Sequence, residues 1–324
     1  MLTAHTEVDR IDHLGEIALI KKIGAWLGPV NPPAPAGIGD DCAVLEPPVG
    51  AKQIITTDTV SYGQHFDDSV SAEDAGAKLI KRNLSDIAAM GGTPGPAVLA
   101  LLCGPDVSIK WMAGFFNGVR LECQRHNVQL VGGDVSSLPE GNFSAVLTLT
   151  GSAVAPKLRH GAQLGDYIYV TGTLGGSILK KHYAFAPRLA EGQWLATHPG
   201  CHAMMDLTDG LAKDLQSILH ADFSASLNLA AIPISNAARA CAQKSGRAVL
   251  DHAFCDGEDY ELLFTLDADE NLKTFEADWA KHFPDVELSC IGHIQPAAPI
   301  GRLIDAETNT ALPWTHGFEH LRSS

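Results

Sequence analysis

Six short segments gather acids beside glycines, hydroxyls or amides: GIGDDCAVL (residues 37–45), TTDT (56–59), NLSD (83–86), GGD (132–134), MDLTDGL (205–211) and DGEDYEL (256–262). Aspartate outnumbers glutamate 24 to 14, and many of the aspartates sit beside glycine or at the expected ends of strands. A carboxylate is a short, hard oxygen donor. Several converging on one pocket suit Mg²⁺, which takes near-octahedral oxygen ligands and keeps waters and phosphate oxygens. Two carboxylates about 4 Å apart repel by roughly 4 kcal/mol at an effective dielectric near 20, so such a cluster requires cations. The ordinary alternative is turn chemistry, with Asp-Gly and Asp-Asp pairs scattered over the surface and never meeting. MDLTDGL fits that alternative worst, because two acids and a hydroxyl lie between apolar residues just before a helix start, where a metal or anion docks.

Other chemistries find less support. Neither the Walker pattern nor a G-x-G-x-x-G after a strand occurs. TGTLGGS (171–177) follows a strand-like run and offers either backbone amides for a phosphate or a tight strand-to-helix turn. There is no G-x-S-x-G elbow and no H-E-x-x-H helix. The fourteen histidines form no ligand pair, since Pro199-Gly200 forbids the helix that would align His198 with His202. His65 stands apart because it follows closely on Asp58.

The elements that must position these residues are legible in outline. Glu16 to Leu27 has helical apolar spacing and stops at Gly28, with prolines at 29, 32 and 33 beyond it. Gln53 to Thr57 reads as a β-branched strand leading into Asp58. Ser71 to Gly91 reads as a long helix opened by a Ser71-x-x-Asp74 cap, with Ala77, Ile80, Leu84, Ile87 and Gly91 on its buried face. Strands are expected at 97–102, 128–131 and 143–154, with a helix over 108–125 between the first two. Near Ala155-Pro156 the pattern restarts with the strand YIYVTG (167–172), which places a domain boundary there and predicts domains over 1–155 and 156–324. Strands and helices mixed in both halves indicate an α/β or α+β protein. WTHGF (314–318) is expected to anchor the tail in a core.

The 324 residues, 45% of them hydrophobic and 19% charged, describe a folded globular chain. The net charge of −15 divides almost evenly, −7 over residues 1–155 and −8 over the rest. Such a chain, lacking a basic block, is a poor binder of nucleic-acid phosphates or anionic lipid. Seven widely spaced cysteines without a C-x-x-C pair read as reduced thiols, neither a disulfide framework nor a zinc site. The acids in MLTAHTEVDRIDHLG and the shortness of the longest apolar run argue against a secretory signal and a membrane span. The expected location is cytoplasmic.

Taken together and in this order, GIGDDCAVL, TTDTVSYGQHF, KRNLSDIAAMGGTP, LVGGD, YVTGTLGGS, MDLTDGLAKDL, GEDYELLFT and CIGHI resemble the bacterial thiamine-monophosphate kinases. These lie within the larger superfamily of aminoimidazole-ribotide synthetase-like proteins. The match runs from about Gly15 to Phe318. The resemblance implies a two-domain fold whose N-terminal strands pair across a homodimer, a C-terminal α+β domain, and ATP bound without a P-loop. It also implies the reaction, in which ATP and thiamine monophosphate give ADP and thiamine diphosphate.

Carried over residue by residue, the family's Mg²⁺ ligands fall on Asp41, Asp58, Asp86, Asp134, Asp206 and Asp209, with Thr57 and Thr208 as supporting hydroxyl or backbone oxygens. Thr56, Gly133 and Arg159 match positions that hold metal or nucleotide phosphate, with Asp134 and Thr208 also on the nucleotide side. Asp209 and Arg159 match catalytic positions, and His65, Glu258 and Phe318 substrate positions. Two segments depart from the family pattern: VSSLPEG after Gly-Gly-Asp, and the residues between Asp58 and His65. Within the superfamily, a selenophosphate synthetase would carry a catalytic cysteine near an early glycine-rich segment, where Cys42 inside GDDCA does not fit. A hydrogenase-maturation relative would end in a reactive cysteine, whereas this sequence reads EHLRSS. The aminoimidazole-ribotide synthetase itself is the distant runner-up. From a different class, a non-catalytic nucleotide or thiamine-phosphate binder would keep the pocket without turnover.

Overall fold

Long strands of alternating burial and helices with one apolar stripe fill the first half of the chain: α1 (Glu16–Leu27), β1 (Lys52–Ser61), α2 (Ala72–Ala89), β2 (Thr93–Cys103), α3 (Ile109–Arg125), β3 (Leu130–Ser137) and β4 (Phe143–Ala153). The computed structural model describes residues 2–3, 6, 9–33, 36–38 and 45–317. Two units emerge, Met1–Ile87 with Gly92–Val154, and Ala88–Gly91 with Ala155–Ser324.

In the first unit the strands form one sheet in the order β1-β4-β2-β3, antiparallel except for the β2–β3 pair. Strand β4 alternates buried and half-open residues along its whole length, so one sheet face is packed and the other is not. Phe143 on the packed face meets Trp111 and Phe115 of α3 edge-on at 4.9 and 5.1 Å. The opposite face leaves Ile55 68% and Val98 41% exposed. Ser108 caps α3 by accepting the Trp111 N–H at 3.1 Å. At the start of α2 the Ser71 hydroxyl accepts the Asp74 N–H at 3.0 Å and donates to the Asp74 carboxylate at 2.7 Å.

Some expected boundaries move. Helix α2 stops at Ala89, and Gly91 lies beyond it at a φ of +66°. Strand β3 begins at Leu130, not 128, and runs past the expected end at 131 to Ser137, carrying Gly-Gly-Asp within it. Position 133 there takes only glycine, because a Cβ would stand 1.9 Å from the Leu99 carbonyl oxygen of β2.

The second unit contains β5 (Tyr167–Thr171), α4 (Lys181–Ala184), α5 (Leu189–Thr197), β6 (Cys201–Asp206), α6 (Leu211–Ile218), β7 (Phe223–Leu227), α7 (Asn236–Ser245), α8 (Val249–Cys255), β8 (Leu262–Leu266), α9 (Leu272–His282), β9 (Leu288–Pro296) and β10 (Leu303–Asp305). Its six-stranded sheet runs β10-β7-β9-β5-β8-β6. Central β8 is buried on both faces and reads as the unbroken apolar run LLFTL. Ile168, Val170 and Leu263 pack with Leu215 of α6 and Phe254 of α8, while Tyr169 and Phe264 pack with Phe275 and Trp279 of α9. The mixed α/β architecture expected from the sequence is present in both units. Trp314 anchors the tail as expected, stacking on Phe254 at 4.3 Å and donating its indole N–H to Asp251 at 2.8 Å. No helix among the described residues is long and apolar enough to cross a membrane.

Candidate active site

Strand alternation sorts the three β1 candidates. Thr56 and Asp58 project toward α2, whereas Thr57 projects to the open face. Arg82 and Asp86, one turn apart on α2, meet them there. The Thr56 hydroxyl donates to the Asp86 carboxylate, and the Arg82 guanidinium donates to Asp58 Oδ1 at 2.8 Å and to the Thr59 carbonyl at 2.6 Å. Thr57 donates to the Leu147 carbonyl at 3.0 Å and accepts from Thr148 at 3.2 Å, so its hydroxyl is directed away from Asp58. His65 Nδ1 accepts the Ser61 N–H at 3.1 Å, and its carbonyl accepts from the fully buried Lys78 at 2.9 Å.

Asp134 is elsewhere. It lies on β3, the other edge of the sheet, paired with Ala100 on the open face and accepting from Ser136 at 2.7 Å. Three strand spacings, about 14 Å, separate it from β1. Two carboxylates sharing one Mg²⁺ must bring their oxygens within about 4 Å of each other. Within one copy of the chain, Asp58 and Asp134 therefore cannot bind the same ion. Among the described residues no three His, Cys, Asp or Glu side chains form a metal cage. Asp41 and Phe318 lie outside the described residues.

The second unit brings its candidates together. Strand β6 ends at the buried Asp206, and the loop 207–210 leads into α6. That loop is laced to the 258–261 segment by three 2.8 Å bonds: Leu207 N–H to the Glu261 carbonyl, Tyr260 N–H to that of Leu207, and Glu258 N–H to that of Thr208. Below it, one carboxylate oxygen of Asp214 accepts the Thr208 and Asp209 N–H groups at 2.9 and 3.0 Å. Burial pushes the Asp214 carboxyl up to about 7, with the nearby Arg159 guanidinium pulling the other way. The Asp209 carboxylate pairs with Lys213 at 2.6 Å. Gly317, the residue before Phe318, lies so close that a Cβ there would stand 2.0 Å from the Asp209 carbonyl oxygen. Arg159, Thr208, Asp209, Glu258 and Gly317 thus share one neighbourhood.

The rest of DGEDYEL is structural, not ligand-seeking. Asp256 accepts the Gly176 N–H at 2.9 Å and Asp259 the Gly175 N–H at 2.9 Å. Burial raises the Asp259 carboxyl to about 7. The amides of TGTLGGS are therefore spent on these acids, which decides for the turn and against a phosphate cradle. Glu261 is buried among Thr171, Lys181 and Arg188, whose polar atoms reach its carboxylate at 2.7–2.9 Å. Arg82, Lys213 and Asp214 escaped the sequence reading. Only Asp214 carried a signal, as the second acid of DGLAKD, in the first turn of α6.

Residues 39–153 match the family described as AIR synthase related protein, N-terminal domain. The thiamine-monophosphate kinase of Rhodopirellula baltica is 37% identical over 257 residues, 76% of this chain and 81% of that protein. This chain belongs to the thiamine-monophosphate kinase family. The crystal structure of the thiamine-monophosphate kinase from Stenotrophomonas maltophilia is 31% identical with a TM-score of 0.73, covering 92% of this chain and 98% of that one. A structure of AaThiL complexed with AMPPCP and TMP is 26% identical with a TM-score of 0.69, covering 96% and 99%.

Proposed function

We propose that this thiamine-monophosphate kinase family member transfers the γ-phosphoryl group of ATP to thiamine monophosphate, in the cytoplasm, giving ADP and thiamine diphosphate. The observation that carries the reading is the Asp206–Asp209 loop, fixed by backbone bonds beside Arg159 and Glu258. The acceptor is a phosphate monoester with a second pKa of about 6, so its oxygen is largely ionised at neutral pH and needs no strong general base. The task that remains is to join two polyanions in line.

The donor set fits magnesium: Asp58 and Asp86 with Thr56 on one element pair, Asp206 and Asp209 on one rigid loop, all hard oxygens. In this reading Asp41, Thr57, Asp58, Asp86, Asp134, Asp206 and Asp209 hold several Mg²⁺ ions. When bound, these neutralise phosphate charge. Thr56, Gly133, Asp134, Arg159 and Thr208 serve the nucleotide, and His65, Glu258 and Phe318 the thiamine phosphate. Residues 1–155 act as the metal and ATP domain and 156–324 as its C-terminal companion.

We infer a homodimer, a reading the first sheet supports. Its acids sit on both edges, and one face stays open around Ile55 and Val98. In a two-fold dimer whose protomers share the site, Asp134 of one chain completes the Asp58 site of the other. Mixing and refolding Asp58→Asn with Asp134→Asn chains then regains up to about a quarter of wild-type turnover, since half the sites in mixed dimers are intact. No regain refutes the shared site. Incubation with ATP, Mg²⁺ and thiamine monophosphate tests the activity itself. Saturable uptake without thiamine diphosphate would identify a binder instead of a kinase.

A further inference from the structure

Among the described residues, the non-glycine positions with left-handed φ are Asn127, Asn309, Glu258 (+53°) and Tyr260 (+51°). Asparagine adopts this region readily, whereas glutamate and tyrosine do not. Such strain persists only where the surroundings overdetermine it, and it marks functional sites. Here the surroundings are explicit. The N–H groups of Glu258 and Tyr260 are tied to the Thr208 and Leu207 carbonyls, the Ser177 hydroxyl holds the Gly257 carbonyl at 2.6 Å, and the carboxylates of Asp259 and Glu261 are pinned on either side of Tyr260.

The product of this arrangement is a carboxylate with a fixed direction. The Tyr260 phenol donates to Glu258 Oε1 at 3.1 Å, and His182 Nδ1 stands 3.7 Å from Oε2. The Tyr260 ring is itself buried and stacked on Phe185 at 3.9 Å. An oriented carboxylate repels a polyphosphate and attracts an organic cation or an amine, and thiamine monophosphate carries both of the latter. We propose that Tyr260 is a positioning residue, its phenol aiming the Glu258 carboxylate at the organic part of thiamine monophosphate and leaving ATP untouched. This rests on the assignment of Glu258 to the substrate side.

Tyr260→Phe keeps the ring and its stacking and removes only the donor. The expected result is a rise of about fivefold in KM for thiamine monophosphate, matched by weaker binding in calorimetry, with kcat, KM for ATP and melting temperature close to wild type. In a Glu258→Ala background the same change adds nothing, because the phenol has no carboxylate to aim. An unchanged KM, an equal loss toward ATP, or additive effects in the double variant would overturn the proposal. A wild-type protein that neither binds nor phosphorylates thiamine monophosphate would overturn the parent reading as well, and shows itself before any substitution is made.

Discussion

The two units hold their acids by different means. In the first, Asp58 leans on the Arg82 side chain and Asp86 on the Thr56 hydroxyl, partners that a rotamer change can withdraw. In the second, the backbone carrying Thr208 and Asp209 is fixed by Asp214 from below, by the 258–261 ladder at its side and by the close approach of Gly317. The first arrangement supplies charge that can be redirected when a cation arrives. In the proposed reaction, the second would serve as a fixed position against which a phosphoryl group is aligned.

The largest expected effect tests the rigid loop. Asp209→Asn should lower kcat by about a thousandfold or more while the melting temperature holds, because the backbone bonds survive and the anionic oxygen does not. Normal turnover would strip Asp209 of its metal role. Next comes the pH dependence of stability. Burial holds the carboxyls of both Asp214 and Asp259 up to about 7, against 3.8 unperturbed. Each keeps a proton in the folded chain that the unfolded chain has lost between about pH 4 and 7. Stability is therefore greatest below that window and declines as pH rises through it, by up to about 4 kcal/mol per group. Denaturant titrations at pH 5 and pH 8 should show the decline, and Asp259→Asn should reduce it by about half, leaving the Asp214 contribution.

A smaller effect separates the acceptor role of Asp214 from its charge. Asp214→Ala orphans two buried N–H groups, costing about 2 kcal/mol of stability and lowering kcat, while Asp214→Asn keeps an acceptor oxygen and recovers most of both. Equal losses in the two variants would mean that the charge, not the acceptor, matters. The smallest effect belongs to the first unit. Arg82→Gln removes the guanidinium that competes with a cation for Asp58 and should lower the Mg²⁺ concentration for half-maximal activity by about threefold, with kcat nearly unchanged. A collapse of kcat would place Arg82 in the machinery and erase the contrast between the units.

Local signals carried the sequence reading a long way. The Gly28 stop, the Ser108 helix start, the β-branched run at 53–57 and the apolar stripe of α2 all reflect neighbours within a few residues; the helix ends stand within a residue or two of their expected places, while β1 starts one residue early and runs four residues further, to Ser61. Sheet order is another matter. That β1 and β3 would be opposite edges depends on pairings across some ninety residues of chain, which no local pattern encodes. The same holds for Arg82 on Asp58 and for Glu261 with Arg188, 24 and 73 residues apart. DGEDYEL illustrates the limit best. Four acids look alike in the sequence, yet Asp259 and Glu261 are buried and, with Asp256, tie loops together, while the half-buried Glu258 accepts from the Tyr260 phenol.

Trp314 lies three residues before Gly317, its indole against Phe254 and its N–H on Asp251. Since Gly317 lies against the Asp209 carbonyl, a ligand that displaced this loop would also move a fluorophore whose emission depends on that stacking. With the other four tryptophans replaced by phenylalanine, the protein becomes its own optical sensor, and occupancy can be followed in real time without a label.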